Sequence, residues 1–212
     1  IVALGVSFFA GIRASEPDMR LSGDEYFDER NLADMKIIST MGLSDQDVRT
    51  LEKVKGVEAL EYAYSVDAMC RTGDTKKVVH VMSELDHMNQ PVVEEGRLPE
   101  KENECLIDVD FMEESGYQVG DEIQLMSGTE DALSDSLKYD TYTIVGAGSS
   151  PCYISFERGS SMIGTGEVSG FLIVPEQAFA MEVYTEVYLT VDGAFDEVAF
   201  TEEYGAQVDQ GV

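Results

Sequence analysis

The residue types that most often perform chemistry are scarce in this chain. There are two histidines, His80 and His87, and three cysteines, Cys70, Cys105 and Cys152. Neither histidine neighbours a nucleophile motif, and we expect His80, in the strand-like run VVHVM, to be packed or at a sheet edge rather than catalytic. The cysteines are widely spaced and form no CxxC pair, which predicts neither a zinc site nor a redox motif. We expect all three to be small buried side chains.

Motifs that hold phosphates, metals or nucleophiles do not occur in the sequence. It contains no GxSxG, no GxxxxGK[ST] and no HExxH. The run GTGEVSG at 164–170 has no strand before it and no helix after it, so we interpret it as a mobile loop. Asp108 and Asp110 form a DxD, but the residues that follow lack the spacing of a calcium loop. We therefore predict no catalytic residues, no cofactor-binding residues and no metal ligands.

Loops carry function more often than strands, and one loop holds apolar residues that could make contacts. The segment before Gly170 contains Phe156, Met162 and Ile163. These three are the candidates for an exposed contact surface.

The charge balance is strongly acidic. Among 212 residues there are 42 Asp and Glu against 14 Lys and Arg, a formal net charge of -28. Nucleic acid is excluded as a partner, because binding it depends on Lys and Arg that neutralise phosphates. An anionic membrane face would repel this surface, whereas cationic peptides or divalent ions would be attracted. The length of 212 residues is enough for one or two domains. The hydrophobic content of 43% is enough to form a core.

The first twelve residues, IVALGVSFFAGI, carry no charge and end at Arg13. A membrane-spanning helix needs about 20 apolar residues, so this stretch is too short to cross alone. We interpret residues 1–14 as the outer end of a first transmembrane helix in a fragment of a longer protein. Two alternatives stay open: the apolar part of a secretory signal, and a buried element of a soluble core.

The order of elements after this stretch favours an α+β fold. The pattern predicts a strand over 33–40, then a helix that begins at the N-cap Ser44 and ends near Gly56. One long strand follows over 57–72, and Gly73-Asp74 turns it into a strand over 76–85. Short connections favour a sheet with its helix packed on one face.

The middle of the chain is richer in strands. Over 91–150 we predict strands at 104–109, 122–126 and around 142–146, with a short helix at 110–115. Beyond it we expect a strand and then a helix that begins at Pro175, a strand over 182–193, and a helix that turns Phe195, Val198 and Phe200 inward.

Several strings, taken in order, resemble the extracytoplasmic domain of MacB/FtsX-type ABC transporter permeases. They are LGVSFFAGIRAS, ADMKIIST, SDQDVRTLEKVKGVE and EEGRLPEKENECLIDVDFMEESGYQVGDEIQLM. Within the last string, the family-like pairs are Gly96-Arg97, Asn103-Glu104 and Gly120-Asp121. The resemblance covers Ile1 to about Gly193, and the strong acidity departs from the family pattern.

The resemblance implies a porter-like α/β sandwich subdomain, formed by 15–90 and 151–212, with a small β-rich subdomain inserted at 91–150. It implies a non-catalytic domain that lies on the extracytoplasmic side of the cell membrane and is attached through adjoining transmembrane helices. A separate cytoplasmic ATPase subunit would hydrolyse ATP, the permease could form a homodimer, and peptides, drugs or lipoproteins could be the cargo. The missing second membrane helix is attributed to truncation.

Two other functional classes remain as hypotheses. The first is a secreted or membrane-anchored acidic module that binds cationic peptides. The second is an envelope hydrolase, which would require a pocket that holds a nucleophile or a metal ion.

Overall fold

The described residues fold into two sheets with four α-helices. The structure, a computed structural model, describes residues 2–155 and 157–211. The helices are α1 (Val2–Glu29), α2 (Asp45–Leu51), α3 (Val109–Ser115) and α4 (Glu202–Gly211). The strands are β1 (Met35–Leu43), β2 (Val57–Ala63), β3 (Ser65–Thr72), β4 (Thr75–Ser83), β5 (Val92–Gly96), β6 (Glu104–Asp108), β7 (Glu122–Met126), β8 (Thr141–Ser149), β9 (Val168–Val174) and β10 (Tyr184–Val191). The predicted α+β class is confirmed.

The small sheet has three antiparallel strands in the order β1-β10-β2. Its central strand β10 turns Leu189 and Val191 toward α4, where Tyr204 and Val208 pack against them. Alternation along β10 places Glu186 and Tyr188 on the opposite face. The central strand therefore has one apolar face and one face with buried polar groups.

The large sheet has seven strands in the order β5-β8-β6-β9-β4-β3-β7. Because β7 pairs with both β3 and β8, the sheet curls until these strands meet. Its interior is the main core, which is lined by side chains from six strands and by Phe111 and Met112 of α3. This core contains fully buried large side chains, among them Tyr142, Ile107, Ile144, Ile123 and Leu172.

The sequence 57–72, expected to form one long strand, forms two strands that belong to different sheets. β2 pairs with β10 in the small sheet, while β3 pairs with β4 in the large sheet. The break lies at Tyr64, whose backbone N–H donates to Ser83 Oγ at 3.0 Å and whose carbonyl accepts from Ser83 N at 2.9 Å. The prediction of a single strand is wrong because alternation is the same on either side of this crossing.

The residues of each sheet do not coincide with the residue ranges of the predicted subdomains. β3, β4 and β9, which the sequence assigned to 15–90 and 151–212, share the large sheet with β5 to β8. The small sheet contains only β1, β2 and β10. The division into 15–90 with 151–212, and 91–150, stays a prediction, and the change of sheet itself occurs near residue 64.

Two expected helices differ in the structure. The segment after Pro175 forms only a single 3-10 turn, Glu176–Ala178, after which Phe179 is extended and buried. The segment after Gly193 forms the 3-10 turn Ala194–Asp196, and α4 begins only at Glu202. Phe195 and Phe200 are 64% and 67% exposed, so the expectation that they point inward is wrong.

The predicted start of α2 is confirmed in detail. Ser44 and Asp47 form a capping box, with Asp47 Oδ2 accepting from Ser44 N at 2.8 Å. The helix ends at Leu51, earlier than the expected stop at Gly56. Among the cysteines, Cys70 and Cys105 are buried as expected, whereas Cys152 is exposed.

α1 is a single 28-residue helix that runs from the apolar stretch to Glu29, with Pro17 inside it. The polar residues after Arg13 continue this helix. Within the described residues, no helix combines the length and the apolar character needed to cross a membrane.

Candidate functional site

A buried polar network joins the two sheets. Glu186 of β10, 3% exposed, accepts hydrogen bonds from Lys36 Nζ, Ser65 Oγ and Tyr188 Oη, each at 2.7 Å. The backbone N–H of Ser65 donates to Thr185 Oγ1 at 2.7 Å. Because Ser65 opens β3 and the other residues belong to β1 and β10, these bonds connect the large sheet to the small one. We call these five residues the inter-sheet network.

The network keeps Glu186 ionised. Burial raises the pKa of the Glu186 carboxyl, but the Lys36 ammonium and the hydroxyls of Tyr188 and Ser65 more than offset this, so the pKa is lowered. Burial and the neighbouring carboxylate raise the pKa of Tyr188, so this phenol stays a hydrogen-bond donor. The network is therefore a charged pair in which both carboxylate oxygens of Glu186 accept hydrogen bonds.

A second polar cluster contains the histidine that sequence analysis weighed as a catalytic group. His80 Nδ1 lies 2.7 Å from Asp67 Oδ1, and Ser161 Oγ donates to Asp67 Oδ2 at 2.5 Å. Burial raises the pKa of Asp67, but the bonds to His80 and Ser161 outweigh it and lower the pKa. His80 is half-buried, in agreement with the interpretation of a packed side chain, while His87 is exposed.

The geometry of this cluster does not match a catalytic triad. A nucleophilic serine needs the imidazole beside its hydroxyl, with the carboxylate behind the imidazole. Here the carboxylate of Asp67 lies between the serine and the histidine. The arrangement instead attaches the loop that carries Ser161 to strands β3 and β4.

The DxD pair is occupied by an arginine. Arg158 Nε donates to Asp108 Oδ2 at 2.7 Å, and Arg158 Nη2 donates to Asp108 Oδ1 at 3.1 Å and to Asp110 Oδ2 at 2.6 Å. The Asp108 and Arg158 side chains are 1% and 8% exposed. In the part of the chain that the structure describes, no three His, Cys, Asp or Glu side chains form a group that could hold a metal ion.

The loop over 150–167 covers one face of the large sheet. Tyr153 stacks on Phe171 with 5.3 Å between ring centroids, and Ile163 packs against Val78 and Val168. Of the three candidates for an exposed contact, Met162 is fully exposed, but Ile163 is 8% exposed, so its assignment is wrong. Phe156 lies outside the described residues. Of the two described candidates only Met162 is exposed, because Ile163 fills a gap in the sheet face, and a contact made by Met162 stays a prediction.

The family-like pairs shape turns and strand ends. Arg97 makes a bidentate bond to the buried Glu104, with Nη1–Oε2 at 2.8 Å and Nη2–Oε1 at 2.9 Å. This bond and the backbone N–H of Glu100 lower the pKa of Glu104. Asp121 Oδ2 accepts from Gln118 N at 2.9 Å. These residues hold β5, β6 and β7 in place.

A groove lies between the end of α1 and the segment before α4. Its volume is about 390 Å³. Asp24 Oδ1 accepts from Ala199 N at 2.6 Å, and the rings of Phe27 and Phe200 meet edge to face at 5.5 Å. We call this feature the α1 groove; its acidic and aromatic lining residues are Asp24, Phe27, Asp28, Asp34, Glu58, Phe195, Asp196, Glu197, Phe200 and Tyr204. Sequence analysis missed it because its walls come from four separate segments.

No family model matches the chain, and no curated protein matches it. Solved structures that resemble it share only 11–14% identity. The extracellular domain of the noncanonic ABC-type transporter YknZ from Gram-positive bacteria has 12% identity and a TM-score of 0.46, covering 81% of this chain and 86% of that one. The periplasmic region of MacB from Actinobacillus actinomycetemcomitans has 11% identity and a TM-score of 0.41, covering 82% and 73%. A domain of a putative permease protein from Porphyromonas gingivalis has 14% identity and a TM-score of 0.42, covering 77% and 73%. The chain is similar to these three extracellular, periplasmic and permease domains.

Proposed function

We propose that this chain is the extracytoplasmic domain of an ABC transporter permease. In this proposal, its small sheet passes movement from the membrane to its large sheet. The observation that carries the proposal is α1, which runs without interruption from the apolar stretch to Glu29 and then contacts the segment before α4. A helix continuous with a membrane segment would carry a shift or rotation at the membrane directly into the small sheet.

The polar contacts support a path from the small sheet to the large one. Asp34, which follows α1, accepts hydrogen bonds from Tyr204 Oη at 2.6 Å and from Val191 N at 2.8 Å. The inter-sheet network then ties β1 and β10 to β3. In this proposal the domain itself is not catalytic, and a cytoplasmic ATPase subunit supplies the energy.

Further parts of the proposal concern the assembled transporter. Adjoining transmembrane helices would hold the domain at the outer side of the cell membrane, and two permease chains could form a homodimer. The work done would be export of a peptide, drug or lipoprotein, or regulation of a partner in the envelope. A secreted or membrane-anchored acidic module for cationic peptides is the second hypothesis.

Purification of the full-length gene product from its own membranes tests the proposal. We expect the tagged protein to bring with it an ATP-binding subunit in constant ratio and to hydrolyse ATP, while the 212-residue chain alone does not. Phe27→Ala, which loosens α1 from Phe200, should leave ATP hydrolysis in place but reduce transport or partner activation. The exposed Met19→Ala on the same helix is the matched control. A full-length protein that needs no detergent and binds no ATPase would refute the proposal.

A further inference from the structure

The α1 groove combines exposed aromatic surface with acidic side chains. Phe195 and Phe200 are 64% and 67% exposed, although soluble domains usually bury large aromatic side chains. Phe200 has a φ of 60°, an unusual backbone conformation for a bulky residue. Its ring lies 5.5 Å from Phe27 and 6.2 Å from Tyr204, so the groove contains a row of aromatic rings.

The charged side chains around these rings are all acidic. Six acidic residues line the groove, and none of the described lining residues is Lys, Arg or His. These acids are Asp24, Asp28, Asp34, Glu58, Asp196 and Glu197. Burial and the nearby Asp24 raise the pKa of Asp28, as expected where like charges crowd together.

The lining carboxylates differ in hydrogen bonding to the protein and in exposure. Asp24 and Asp34 accept hydrogen bonds from the protein, whereas Asp28, Asp196 and Glu197 lie exposed at the rim. The rim acids are therefore available to a ligand, and the aromatic floor offers both apolar area and the faces of rings that attract cations.

We infer that the α1 groove is a docking site for a basic amphipathic peptide segment. Charge complementarity selects this occupant, because the lining repels anions and a second copy of a chain with a net charge of -28. Apolar side chains of the segment pack on Phe195, Phe200 and Phe27, and its Lys or Arg side chains meet Asp28, Asp196 and Glu197. The inference does not depend on the proposed transporter role, since the groove is formed by the domain itself.

Fluorescence anisotropy of a labelled synthetic peptide, KLLKKLLKKLLK, with the full 212-residue chain tests the inference. We expect saturable binding at low salt that weakens as salt is raised, because the rim charges are screened. An octalysine peptide should bind at least about tenfold more weakly, since it lacks the apolar contacts. A peptide in which every Lys is replaced by Glu should not bind.

Matched variants separate the groove from the general acidity of the surface. Phe195→Ser and the triple variant Asp28→Asn, Asp196→Asn, Glu197→Gln should each weaken binding about tenfold or more. The apolar control is Met162→Ser, and the charge control is Glu130→Gln with Asp131→Asn and Asp135→Asn, which removes the same three charges; all these positions are exposed and lie outside the α1 groove. Circular dichroism confirms that each variant is folded.

Three outcomes would overturn the inference. They are absence of binding at low salt, equal weakening by the charge control and the triple variant, and unchanged affinity in Phe195→Ser. Dimer formation that is lost in Phe195→Ser would assign the groove to self-association instead. None of these results bears on whether an ATPase accompanies the full-length protein, so the two proposals can fail separately.

Discussion

Buried carboxylates hold distant segments of this chain together. Asp108 pairs with Arg158, Glu104 with Arg97, and Glu186 with Lys36. Each pair joins different elements, and each carboxylate is 5% exposed or less. Removal of one partner from such a pair leaves an uncompensated buried charge, which costs more than the pair itself contributes.

Arg158→Met should therefore destabilise the domain strongly. Asp108 would lose its cationic partner inside the protein, and we expect a loss of about 3–5 kcal/mol in the free energy of unfolding. Urea unfolding followed by tyrosine fluorescence measures it. Asp110→Asn is the matched control, because Asp110 binds the same arginine but its side chain is 64% exposed, and it should cost about 1 kcal/mol or less. Equal effects of the two variants would contradict the account of a buried pair.

Acid should weaken the inter-sheet network. The folded-state pKa of Glu186 lies below the ordinary glutamate value of 4.5, so its stabilisation is complete above that pH and is lost as the pH falls through the folded value. Glu186→Gln should cost about 2 kcal/mol at pH 7 and progressively less toward pH 3. Urea unfolding at several pH values gives the difference between the two proteins.

The comparison needs a control because the chain contains 42 acidic residues, and acid changes the net charge of the whole protein. Glu94→Gln removes the same charge from an exposed position of β5. Its stability should run parallel to that of the wild-type chain across the pH range. A difference for Glu186→Gln that is constant with pH would show that the carboxylate's charge is not what stabilises the network.

At the scale of elements, turns decide how the strands of the large sheet meet. Gly96 ends β5 with a φ of 74°, and a Cβ atom there would lie 2.2 Å from the carbonyl oxygen of Val145. Gly73, in the β3–β4 hairpin, also has a positive φ, of 58°, but a Cβ atom there would meet nothing within 4 Å. The two glycines thus share a left-handed backbone conformation and differ in the space available to a Cβ atom.

Gly96→Ala should destabilise the domain more than Gly73→Ala. In Gly73→Ala only the left-handed backbone conformation is unfavourable, and it costs about 1 kcal/mol. In Gly96→Ala the new Cβ must also push β5 away from β8. Thermal unfolding should show a clearly larger fall of Tm for Gly96→Ala. Similar falls in Tm would mean that β5 can move away from β8 without cost.

Local patterns predicted individual elements well and their assembly poorly. The hairpin at Gly73-Asp74 and the capping box at Ser44 depend on neighbouring residues, and both are confirmed. The crossing at Tyr64 leaves no local trace, because both strands alternate in the same way. Pro175 is a common first residue of helices, but here Phe179 is drawn into the core and the chain stays extended.

The polar sites were out of reach of the sequence for the same reason. Lys36, Ser65 and Glu186 are brought together only by the pairing of β1 with β10 and by the start of β3. Likewise, Phe195 and Phe200 look like the apolar face of a helix until the left-handed backbone at Phe200 ends that pattern. Long-range pairing, rather than composition, determines both sites.

At the scale of the whole molecule, one line of contacts runs from α1 to the large sheet. It passes from Asp24 and Phe27 to the segment before α4, through the small sheet, and across the inter-sheet network. A domain built in this way suits the proposed task of passing movement outward from a membrane. The proposed function requires residues 30–211 to lie outside the cytoplasm and to be attached to a membrane by the segment that contains α1.

Labelling of intact cells with a membrane-impermeant maleimide tests this claim most directly. The full-length protein would carry Cys152→Ser, which removes the exposed cysteine, serine in place of any cysteine outside these 212 residues, and Met162→Cys at the fully exposed loop position; Cys70 and Cys105 are buried. The account predicts that the protein stays in the membrane fraction and is labelled as fully in intact cells as in permeabilised ones, and that Cys152→Ser alone is not labelled. Labelling only after permeabilisation would contradict it.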